Sequence, residues 1–269
     1  MTKFMWLVYF AKMTLCPCIN ERKEGVKVIG LQANIQKLGE FATEINENSG
    51  LLFLEKDRLL THNDSGGEPA LYETTLNGQS INKRLIPNVK NLDWEDLAFD
   101  RKNNIIYIAD TGNNGLRREE TNIYRVDSLS TESIKIQFEN GPKDIEAMYY
   151  ANDSLHLFSK SINTKTPISY YYAVPADKKE YITKPQETVN LHGLVTGADI
   201  SFDQETLALI TYGKVLIFKK NAGSFDLNHP SYCIKTKRKQ TEAITFISNK
   251  KIVFSNEQRK LYSLELPLK

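Results

Sequence analysis

Five short segments of this chain share one pattern, an acidic residue in or beside a small apolar stretch. They are residues 47–53 (Glu-Asn-Ser-Gly-Leu-Leu-Phe), 94–100 (Trp-Glu-Asp-Leu-Ala-Phe-Asp), 145–150 (Ile-Glu-Ala-Met-Tyr-Tyr), 197–202 (Gly-Ala-Asp-Ile-Ser-Phe) and 241–246 (Thr-Glu-Ala-Ile-Thr-Phe). Aligned on Leu51, Leu97, Met148, Ile200 and Ile244, they stand 46, 51, 52 and 44 residues apart, close to the ~40–50 residues of a propeller blade. At this period each unit is one supersecondary element that must stack on its neighbours to bury its apolar faces.

A second apolar run follows each opening, at 58–61, 105–109, 155–158, 207–210 and 251–254. A third follows at 70–72, 122–126, 169–173, 215–218 and 260–264. Turn-forming clusters such as Arg101-Lys102-Asn103-Asn104 and Asn152-Asp153-Ser154 separate the runs, so each unit reads as an antiparallel meander. A more polar fourth strand completes four units, for example at 134–138 and 231–235, but the last unit stops after three. Residues 26–31 (Val-Lys-Val-Ile-Gly-Leu) are expected to supply its outer strand, closing the ring and removing an exposed edge. The predicted fold is all-β, a monomeric five-bladed β-propeller spanning 26–269 and closed by an N-terminal strand.

Thirty-five Lys and Arg against 33 Asp and Glu leave a net charge of +2, which gives no electrostatic basis for nucleic acid as a partner. The basic run at 235–239 reads as a solvated feature. Three cysteines with no Cys-x-x-Cys pair argue against a zinc site, and no structural disulfide is expected. Residues 1–18 differ in character: Lys3, an apolar run over 4–11, then Met13-Thr14-Leu15-Cys16. This arrangement resembles an export signal ending in a lipid-acceptor cysteine, which would place the protein in the periplasm or on the outer surface, lipid-anchored. The alternative is an apolar N-terminal extension of a cytoplasmic protein. The run is far shorter than the ~20 residues of a membrane span.

In a propeller the start of the innermost strand and the end of the second share one face. Glu47, Glu95, Asp96, Glu146, Asp199 and Glu242 stand at the starts of innermost strands, while Asp64, Asp110, Lys160, Tyr212 and Glu257 stand at or after the ends of second strands. Loops carrying Asn113, Asn114, Arg117, Arg118 and Arg259 emerge on the same side. Carboxylates crowded about one axis repel one another and must be relieved by protons, basic partners or a cation. Alternatively, each accepts backbone N–H bonds from the next blade. The metal reading takes Ca²⁺ as cofactor, with ligands drawn from Glu47, Ser49, Glu95, Glu146, Asp199 and Glu242, because oxygen donors without Cys or His suit a hard cation.

Several words of the sequence resemble those of a largely uncharacterised family of bacterial envelope β-propellers: Glu-x-Ser-Gly-Leu at 47–51, His-Asn-Asp-Ser-Gly-Gly at 62–67, Asp-Trp-Glu-Asp at 93–96, Gly-Asn-Asn at 112–114 with Arg117, and x-Glu-Ala-Ile at 241–244. The resemblance implies the fold and an envelope location. More distantly, the chain is similar to the calcium-activated nucleotidases (apyrases), which hold calcium in the channel; Ser49, Glu95, Glu146 and Glu242 occupy comparable blade positions. Gluconolactonase-type propellers also place Glu, Asn and Asp around a divalent metal. Besides a pure interaction propeller with no metal, two functions follow. One is a binding or scaffold propeller with an axial calcium, presenting its loop face to a small molecule or protein. The other is a calcium-dependent hydrolase of a phosphoanhydride, phosphoester or lactone. In that version Asp64, Asp110, Glu257 or His62 would move the proton, and Arg117, Arg118, Lys160 or Arg259 with Asn113 and Asn114 would hold the substrate.

Overall fold

The computed structural model describes residues 18–30, 35–160, 168–236 and 240–267. They form five sheets whose innermost strands, Asn48–Phe53, Trp94–Asp100, Ile145–Ala151, Val195–Ile200 and Thr241–Ser248, pack side by side in chain order, the last against the first. The fold is therefore a five-bladed β-propeller, with blades 1 to 5 in chain order.

Each blade buries its faces against the next, giving five apolar clusters, one per blade interface. Between blades 1 and 2, Leu52, Leu60 and Leu71 meet Trp94, Ile108 and Tyr124. Trp94 is completely buried, as strand alternation requires of so large a residue beside a polar axis, and its indole N–H donates to the Lys90 carbonyl at 3.0 Å. Polar side chains tie the blades nearer the axis. Ser49 Oγ donates to the Glu95 carbonyl at 2.6 Å, Thr111 Oγ1 to that of Ile145 at 2.8 Å and Thr196 Oγ1 to that of Thr241 at 2.6 Å.

An N-terminal strand does close the ring, but a different one from that expected. Ile35–Glu40 pairs antiparallel with Lys260–Glu265 to complete blade 5, and Ile35 and Leu38 pack on the adjoining clusters. Within the expected segment 26–31, Lys27–Ile29 instead runs parallel to Tyr232–Lys235 as a fifth strand of blade 4. Blade 2 gains a parallel fifth strand as well, Glu180–Thr183, from the connection that later supplies the outer strand Glu187–Val189 of blade 3.

The expectation of no structural disulfide is overturned by a bond between Cys18 and Cys233, 215 residues apart in sequence with Cα atoms 5.9 Å apart. It explains where residues 27–29 go: the disulfide pins the start of the segment to the outer strand of blade 4. A short helix, Ile19–Lys23, follows Cys18, and its Glu21 forms a buried ion pair with Lys214, which also donates to the Leu191 carbonyl at 2.9 Å. Residues 1–17 of the expected leader and 237–239 of the basic run lie outside the described residues. Among the described residues no helix is long and apolar enough to cross a membrane.

Because a cross-link over so long a loop restricts the unfolded chain strongly, Cys233→Ser should cost about 2–5 kcal/mol. A thermal melt of the wild type in strong reductant should reproduce that loss. Equal melting temperatures with and without reductant would mean that this bond does not hold the segment.

Candidate functional site

Every innermost strand carries a β-bulge at the same level: pairing with the second strand skips Gly50, Glu95, Glu146, Thr196 and Glu242. A bulged residue leaves the ladder and its side chain is re-aimed. In blades 2, 3 and 5 that residue is glutamate, and all three line one axial cavity of about 430 Å³. Lys160, Tyr212 and Glu257, each immediately after the second strand of its blade, line it too, with Asp64, Asn114, Glu47 and Ser49. Two residues before Glu95 and Glu146 stand Asp93 and Asp144, on the same side of their strands. Oxygens of Asp64, Asp93 and Glu95 lie within 4.8 Å of one another, as do those of Glu95, Asp144 and Glu146. The approach needs a glycine at 112, where any Cβ would overlap the carboxylates of both Glu95 and Asp93.

Among the described residues, little positive charge answers this cluster. Lys160 Nζ lies 2.5 Å from Glu146 Oε1; burial disfavours its charge, but Glu146, then Tyr212 and Glu242, hold its pKa above the usual lysine range. Glu95 is 5% exposed, and its carboxyl, which lines the cavity, accepts no hydrogen bond from any described residue. Burial first, and then the charges of Glu146, Asp64 and Asp93, push its pKa well above the carboxylate range. Burial likewise raises Glu146 to about 8, against the opposing pull of Lys160, and raises Asp93 to about 6 with help from Asp64 and Asp144. Glu242 is also raised, by burial and then by Glu146.

Of the residues proposed from sequence, Glu47, Ser49, Asp64, Glu95, Asn114, Glu146, Lys160, Glu242 and Glu257 come together at the cavity. Ser49 is there through its hydroxyl's bond to the Glu95 carbonyl, and Glu47 lies on the exposed rim. Asp199 lies deeper, where Oδ2 accepts the Phe246 N–H at 2.8 Å and the Thr245 hydroxyl at 3.0 Å, tying blade 4 to blade 5. Asp110 is fully buried, bonded to the Asp93 N–H, Tyr124 and Arg118. Arg118 also donates to the carbonyls of Gly112 and Asp110, and Arg259 to that of Phe41. Asn113 knots its loop by accepting from the N–H groups of Arg117 and Arg118, and Arg117 is exposed. His62 is wholly buried edge-on to Trp94 and against Gly50, with Nε2 unpartnered and its pKa lowered to about 4 by burial.

Three acidic residues carry more than the sequence reading assigned them. Asp93 and Asp144 join the cluster, and their signal was the Asp-x-Glu spacing in blades 2 and 3. Asp96 does not face the mouth: Oδ2 accepts the N–H groups of Met148 at 2.8 Å and Ala198 at 3.1 Å, so one carboxyl clasps blades 2, 3 and 4.

No protein-family profile and no curated protein matches the chain. Solved structures share its fold. A structural-genomics target provisionally named gluconolactonase aligns with a TM-score of 0.55 at 9% identity, over 90% of this chain and 94% of that one. The PQQ-bound aldose sugar dehydrogenase of Streptomyces coelicolor aligns at 0.52 and 9% identity, over 87% and 98%. A chain of the nidogen/laminin complex aligns at 0.53 and 13%, over 81% and 76%. At such identities the likeness is one of β-propeller fold.

The raised carboxyls set a pH dependence. A carboxyl whose pKa is higher folded than unfolded holds its proton more tightly in the folded state, so its stabilisation is complete at low pH and is lost as pH rises. Each such group contributes a slope of up to about 1.4 kcal/mol per pH unit between its two pKa values. Chelator-treated protein should therefore lose melting temperature steadily from pH 5 to pH 8.5, and Glu146→Gln should flatten that loss. A melt independent of pH over this range would show that the cluster is not strained by its charge.

Proposed function

We propose that this chain is an exported β-propeller of the bacterial cell envelope whose channel mouth binds a divalent cation, calcium, and uses that metallated face to bind a ligand. The observation that carries this reading is Glu95, a 5% exposed residue whose carboxyl lines the cavity without a hydrogen-bond partner among the described residues, set between two groups of further carboxylates. A buried ionised group without a partner is strongly disfavoured, and a cation relieves it while satisfying its oxygens. The cavity lining holds oxygen donors and a lysine but neither Cys nor His, which suits calcium above the softer metals. The Cys18–Cys233 bond supports an oxidising compartment. With Cys16 as the lipid acceptor, the anchor would stand two residues from that bond.

A second reading, calcium-dependent hydrolysis, is favoured by the open mouth beside the carboxylates, where Asp64 and Glu257 are available to take a proton from a cation-bound water. Here the charge balance selects among substrates. Among the described candidates Arg118 and Arg259 are engaged with backbone carbonyls and Lys160 with Glu146, which leaves the exposed Arg117 to meet a phosphate, so an uncharged lactone fits better. One of the fold neighbours bears the name gluconolactonase.

Calcium should raise the melting temperature of chelator-treated protein, more at pH 8 than at pH 6, because fewer protons must then be displaced from the ligands; a site loaded to 100 times its Kd contributes about 2.7 kcal/mol. Glu95→Gln should melt at or above the metal-free wild type, because it removes a repelling charge, and should lose the response to calcium. A calcium-insensitive wild type would refute cation binding. Calcium-dependent opening of a γ- or δ-lactone that Glu95→Gln abolishes would select the hydrolase reading over the binding one.

A further inference from the structure

Five of the carboxylates at the mouth form two groups that share a single member. Asp64 and Asp93 meet Glu95 on the blade 1 side, and Asp144 and Glu146 meet it on the blade 3 side, each group with its oxygens within 4.8 Å. Glu95 is the bulged residue between them and has no hydrogen-bond partner among the described residues. We infer that the mouth holds two divalent cations, one in each group, bridged by the Glu95 carboxylate. This rests on the cation-binding reading above and extends it from one ion to a pair.

Charge argues for two. Asp64, Asp93, Glu95, Asp144 and Glu146 carry five negative charges when ionised, and Lys160, paired with Glu146, returns one. Among the described residues of these two groups, the remainder of four is half neutralised by one divalent cation and fully neutralised by two, and Glu242 and Glu257 in the same cavity add to the negative side. Arg118 does not change the sum, since its guanidinium is paired with Asp110 outside the cluster. Free donor atoms argue the same way. Asp64 and Asp144 each have one carboxylate oxygen bonded to a backbone N–H, from Ser65 and Asn113, which fixes the side chain and leaves the other oxygen for a metal. Paired divalent cations in two-metal sites stand roughly 3.5–4 Å apart, a separation that one bridging carboxylate spans. Gly112 leaves room for the first group, since a Cβ there would overlap the carboxylates of Glu95 and Asp93.

The test is a count. Equilibrium dialysis of the metal-free full-length chain against calcium at pH 8, read by elemental analysis, should give two ions per chain. Asp93→Asn and Asp144→Asn should each bring the count to one, and Glu95→Gln should weaken both ions by at least about tenfold. Melts of the metal-free variants, expected at or above the wild type, confirm that each is folded. One ion in the wild type would overturn the pair and leave the cation-binding reading standing; none would overturn both. Two ions with affinities unchanged in Glu95→Gln would overturn the bridge.

Discussion

Five innermost strands packed around one axis bring side chains from different blades within hydrogen-bonding distance, and the chemistry of this molecule follows from how that crowding is resolved. Deep in the channel it is resolved by protein alone. Asp96 and Asp199 spend their carboxyl oxygens on backbone N–H groups of neighbouring blades. At the other end of the same strands, Arg101 lies over the rings of Phe202 and Phe99 and donates to the Phe53 and Leu54 carbonyls. At the mouth, among the described residues, carboxylates outnumber the groups able to answer them.

That surplus comes from a backbone device. A bulge at the same level in each blade turns one residue out of the ladder, and where that residue is glutamate the carboxylate points into the cavity. Blades 1 and 4 place Gly50 and Thr196 at that position, so the acidic wall is one-sided, centred on blades 2 and 3 with Glu242 opposite. A one-sided cluster suits a small ion held at the edge of the channel, with the rest of the mouth open to a ligand. It also explains why protonation, metal and stability are linked here: Asp64, Asp93, Glu95, Asp144 and Glu146 are all groups whose ionisation burial resists.

The blade count and most strand positions were legible in the sequence because they depend on apolar runs and turn residues, which are local. Glu95, Glu146 and Glu242 were legible for the same reason. Aligning the repeats on Leu51 and Ile200 displaced blades 1 and 4, whose counterparts of Leu97 are Leu52 and Ala198 in the observed registers. A bulge changes the side-chain phase without leaving a signature of its own, so Asp199 was assigned to the mouth when it lies deeper. Asp93 and Asp144 were passed over because they precede their strands. The disulfide and the true closing strand were hidden by distance: nothing near Cys18 or Ile35 indicates a partner more than 200 residues away.

The claim on which the rest turns is that the buried, unpartnered carboxyl of Glu95 is a metal ligand. Crystals grown at pH 8 with manganese in place of calcium, and diffraction recorded at the manganese absorption edge, test it at the atom concerned. Anomalous density within bonding distance of the Glu95 carboxylate, shared with carboxylates on at least one side of it, is the expected result. An anomalous map with no peak at the channel mouth, and Glu95 protonated against Glu146 or Asp64 instead, would contradict it.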